Sequence, residues 1–72
     1  MLSLYKLKHQ AQDLREEVCS RAGMSRGSMI MAYKEHQERR RRTGERMPLT
    51  RMERLAFEVS WLISLRDNLD KL

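Results

Sequence analysis

Apolar residues recur at spacings of three and four through the first third of the chain, at Leu4, Leu7, Ala11, Leu14 and Val18. That period lays one narrow apolar stripe along a helix, with Lys6, Lys8, Gln10, Gln12, Arg15 and Glu16 turned away from it. Ser3 can cap the start and Gly23 supplies a left-handed stop, so the pattern predicts a helix over roughly 3–21. A second segment opens at Ser25, another capping residue, and runs over roughly 25–42 before Thr43 and Gly44. Its inner side is modest, with Met29, Ala32, Tyr33 and His36 on one face. Pro48 ends the connector, because the residue before a proline avoids helical geometry. Thr50-Arg51-Met52-Glu53 then has the form of a capping box and predicts a third helix over roughly 50–71.

The third helix carries two apolar stripes. Met52, Leu55, Ala56, Val59, Leu62 and Ile63 form one, and Phe57, Trp61 and Leu65 form another. A helix apolar on two sides must be covered on two sides. The first two helices can cover one, and a second copy of the chain is the simplest cover for the other. The expectation is an all-α, three-helix domain spanning residues 1–72, forming a homodimer through the C-terminal helix. Leu55, Phe57, Val59, Trp61, Leu62 and Leu65 are the candidate dimer-interface residues.

Size supports that expectation. A chain of 72 residues buries only about 60% of the surface that its unfolded form exposes, and small domains compensate with disulfides, metals or partners. The single cysteine, Cys19, forbids an internal disulfide and reads as a small packed residue. His9 and His36 are the only histidines, without paired Cys/His spacing, so no metal or other cofactor is expected. His36, on the inner face, reads as a packed histidine rather than a ligand. Catalysis is not expected either: no nucleophile–base pairing and no Gly-rich phosphate loop is present, and no small-molecule substrate is indicated. No secretion signal or membrane span of about 18 apolar residues is visible, so an intracellular protein is expected, in a bacterial cytoplasm or, if viral, in a host cell.

Charge changes the picture more than composition does. Residues 1–24 hold four Lys/Arg against three Asp/Glu, and residues 50–72 hold four against four. Residues 25–49 hold seven against three, so nearly all of the net charge of +5 lies in one central segment. Arg39, Arg40, Arg41 and Arg42 are consecutive. One or two cations at a helix C-terminus complement its dipole, but four exceed that need. A single-sign block repels itself unless an anion lies opposite, and a nucleic-acid backbone is the leading candidate. Ser25, Arg26, Lys34, Arg39, Arg40, Arg41, Arg42 and Arg46 are the candidate nucleic-acid-binding residues.

The run from Val18 to Tyr33 resembles the helix-turn-helix of bacterial repressors of the lactose-repressor class. In that motif a small residue lies four before the turn glycine, a hydrophobe follows the glycine directly and another comes six after it. Cys19, Gly23, Met24 and Met29 fill those roles here, with Val18 and Ala22 suitable in type. Cysteine stands where alanine is usual, and Ile30 and Met31 occupy positions that would face the groove. The resemblance implies a DNA-binding transcriptional regulator. Two alternatives stay open. A symmetric dimer could lay two basic helices across duplex RNA, as in the helical double-stranded-RNA-binding domains of viral silencing suppressors, with which no residue motif is shared. The arginines could instead dock on an acidic protein partner.

Overall fold

Each helix begins on the side chain expected to cap it. Ser3 Oγ accepts from the Lys6 N–H at 3.2 Å, Ser25 Oγ from Ser28 at 3.1 Å, and Thr50 Oγ1 from Glu53 at 3.1 Å. Those three caps open α1 (Leu4–Ala22), α2 (Arg26–Arg42) and α3 (Arg51–Asp70) in a computed structural model that describes residues 3–71. No strand occurs among the described residues. The fold is all-α. The ends follow the sequence as closely. Gly23 closes α1 at φ +65°, where only glycine avoids a Cβ penalty, and its N–H donates to the Cys19 carbonyl. After α2, Gly44 adopts φ +78°.

One cap departs from its expected form. The Glu53 carboxylate accepts from the Leu49 N–H at 3.0 Å, one residue before the cap itself. Arg46 Nη2 lies 4.0 Å from the other Glu53 oxygen, on the connector side.

The core is built mainly by α1 and α3. Leu7, Ala11, Leu14 and Val18 bury the stripe predicted for α1, and Val59 and Leu62 meet it from α3. These two helices run in broadly the same direction: Arg15 pairs with Glu58 midway, and Arg21 bridges Glu17 on its own helix and Asp70 at the far end of α3. Two parallel helices need a returning segment, which α2 and the connector provide. From α2 only Met29 is fully buried. The rest of its attachment is aromatic. The Tyr33 and Trp61 ring centroids are 5.1 Å apart, His36 stacks on Trp61 at 5.7 Å, and the Arg40 guanidinium lies 4.3 Å above the Phe57 ring.

That packing answers a question raised by the sequence. The Phe57–Trp61 side of α3, expected to need a second copy, is covered within the chain by Tyr33, His36 and Arg40. Met52 and Ala56, expected on the inner side of α3, are instead exposed, because they lie at the edge of the face that packs at Leu55, Val59 and Leu62. No helix of the described residues is long and apolar enough to cross a membrane.

Candidate nucleic-acid interface

An α-helix turns 100° per residue, so four consecutive arginines must point in four directions. Arg40 falls on the same side as Met29, Tyr33 and His36 and points inward. Its guanidinium stacks on Phe57, and its Nε donates to Glu45 Oε2 at 2.8 Å. Arg41 is exposed and held loosely, with Nη1 3.4 Å from Glu38 Oε1. Arg39 and Arg42 are exposed and have no carboxylate within 4.0 Å among the described residues. They line a shallow outer groove of α2 with Met31, Lys34, Glu35 and Glu38, and Lys34 likewise lacks a carboxylate partner. Arg46, in the connector, is exposed, with only the 4.0 Å approach to Glu53. The arginine block thus divides into one side chain committed to the fold and three turned to solvent.

At the other end of α2, Ser25 serves the backbone: besides capping, its hydroxyl donates to Ser28 Oγ at 3.0 Å. Arg26 follows as the first residue of the helix and is exposed. Gly23 to Ser25 make a three-residue break in which Met24 is half-buried against the core. Ile30 and Met31 lie outside, 54% and 58% exposed.

The structure also assembles a cluster that no stretch of sequence announces. Lys8 and Arg15 of α1, Arg26 of α2 and Arg51 of α3 line one open cleft of about 430 Å³. Arg15 Nε lies 2.6 Å from Glu58 Oε1, a contact of charges in which the N–H is not aimed at the oxygen. Lys8, Arg26 and Arg51 have no carboxylate within 4.0 Å among the described residues. These residues are 43 positions apart at the extremes, so only the tertiary fold brings them together.

No family model, curated protein or solved structure matches the chain.

The candidate interface residues of α3 are distributed over the single chain. Val59 and Leu62 are inside its core, at 6% and 0% exposure. Phe57 and Trp61 lie under α2, and Leu55 and Leu65 are half-buried. Packing also tunes two groups behind the basic helix. Burial, then the nearby Arg40 and Arg39, hold the His36 imidazolium below its usual range, against a weaker opposing pull from Glu45. Burial first, then Glu58, push the Tyr33 phenol up, with Arg40 opposing. Both belong to the layer that seats α2.

Proposed function

We propose that this chain is a nucleic-acid-binding protein that uses α2 as its contact helix, in the manner of a helix-turn-helix regulator of DNA. The observation that carries the reading is the set of exposed cations along α2, namely Arg26, Lys34, Arg39 and Arg42, without carboxylate partners and with Arg41 only loosely held. Such side chains are positioned to replace condensed counterions on a phosphate backbone. Arg46 extends the same charge into the connector. Support for the helix-turn-helix mode comes from the left-handed Gly23, the half-buried Met24 and the buried Met29, which match the contacts that the motif's pattern requires. In this mode Ile30 and Met31 would meet thymine methyl groups, the apolar feature of the major groove.

Those same two residues favour a second reading. A helix that presents apolar side chains where base edges are read can still grip a backbone by shape, as proteins on duplex RNA do. A homodimer belongs to either proposal and rests on the small core of a 72-residue chain. Sedimentation at micromolar concentration tests it. The function is tested by competition among a DNA duplex, an RNA duplex of the same sequence and single strands at two salt concentrations. The expected result is a preference for duplex DNA with measurable sequence dependence. Preference for the RNA duplex moves the assignment to the second reading, and no binding at low salt leaves the arginines to an acidic protein partner.

A further inference from the structure

Four cations from three helices converge on one cleft, and none of its lining residues is acidic: the others are Gln12 and Leu55. With Arg15 held by Glu58, three uncompensated charges remain, on Lys8, Arg26 and Arg51. Their placement is unfavourable for a protein standing alone. Arg26 and Arg51 are the first residues of α2 and α3, at the helix end where the macrodipole favours negative charge. No acidic side chain relieves this in the first turn of α2. In α3 the only one is Glu53, already engaged by the Leu49 N–H and approached by Arg46. Like charges gathered in this way repel until an anion enters, and a phosphate suits guanidinium and ammonium donors together.

We propose that this cleft seats a backbone phosphate of the bound nucleic acid, so that the chain grips its partner at a second place besides the outer side of α2. The proposal rests on the nucleic-acid reading above. Arg15 and Arg26 also line the adjoining cleft of about 570 Å³ that reaches Ile30. The phosphate site is therefore continuous with the first turns of α2, the part of a recognition helix that approaches a groove. Lys8, Arg26 and Arg51 bind the phosphate, while Arg15, fixed by Glu58, adds its field.

The test compares Arg39→Ala/Arg42→Ala with the same protein also carrying Lys8→Ala and Arg51→Ala, the two free cleft cations that lie outside α2. Affinity for a fluorescent DNA duplex is measured by anisotropy across a salt series. Both added positions are exposed, so helical content should be unchanged. The cleft substitutions should weaken binding at least about tenfold and reduce the salt slope by about 0.9 for each phosphate that is no longer neutralised. Unchanged affinity and slope would overturn the proposal. A parallel titration of the wild-type chain with inorganic pyrophosphate, followed by amide NMR, covers failure of either variant to fold. Saturable shifts at Arg26 and Arg51 are expected, and their absence would also overturn the cleft. If the wild-type chain binds pyrophosphate there but no nucleic acid, the functional reading falls and the cleft stands as a site for free phosphate.

Discussion

Replacing Arg40 by alanine should damage the fold, whereas the same change at Arg39 or Arg42 should damage only binding. The Arg40 side chain is 26% exposed, with its guanidinium on Phe57 and its Nε on Glu45. A partly desolvated cation–π contact contributes about 0.5–2 kcal/mol, and an ion pair to a carboxylate as exposed as Glu45 adds about 0.2–1 kcal/mol. Arg39 and Arg41, one residue to either side, point away from Arg40, so relief of repulsion offsets little of that. The net loss is about 1–2 kcal/mol. For a domain of this size, 1 kcal/mol moves the melting temperature by roughly 4–8 °C, so Arg40→Ala should melt about 4–16 °C lower. Arg39→Ala and Arg42→Ala should stay within about 0.5 kcal/mol of wild type, as exposed substitutions usually do. Arg40→Lys should fall between, because lysine keeps the charge and loses the planar head that covers the ring. Thermal melts by circular dichroism, paired with anisotropy on a duplex, separate the two effects. Three indistinguishable melts would refute the division of the run.

Three further outcomes follow from the packing. Gly23→Ala should cost about 1–2 kcal/mol in denaturant melts from left-handed backbone strain alone, because an added Cβ meets nothing within 4 Å. Leu62→Ala, at the most enclosed large side chain of the core, should cost about 2–5 kcal/mol, enough to leave so small a domain partly unfolded by urea titration. The lowered His36 pKa means that the unfolded chain binds the proton more readily, so this histidine's contribution is fully present above its ordinary value of 6.5 and is lost as pH falls below it. Wild type should therefore lose stability relative to His36→Gln between neutral and mildly acidic pH, and parallel profiles for the two proteins would rule out the effect.

The three helices, their capping residues and the inner stripe of α1 were legible because each is a local property: a period of three to four, a serine or threonine before it, a glycine after it. The sequence also marked Phe57 and Trp61 as surfaces needing cover, yet pointed to a second copy. The cover within the chain is partly disguised. Tyr33 and His36 are visible on the inner face of α2, but the stripe continues one turn on at Arg40, and any count of polar against apolar positions scores an arginine as outward. A guanidinium plane can nonetheless lie flat on an aromatic ring, so a cation can finish an apolar seam. Met52 and Ala56 continue the apolar period yet are exposed, because they lie at the edge of the α3 face that packs at Leu55, Val59 and Leu62.

The cationic cleft marks the limit of local reading. Lys8, Arg15, Arg26 and Arg51 are inconspicuous one at a time, each set among opposite or neutral neighbours, whereas Arg39–Arg42 dominate any charge profile. Density along a chain and density in space are different quantities. Four successive residues on a helix spread over about 300° of its circumference, so no single partner surface can meet them all. Residues from three helices that share a cleft can meet one phosphate together. The conspicuous run supplies a diffuse positive field and one structural contact, while the dispersed set supplies convergence, which a site for a single anion requires.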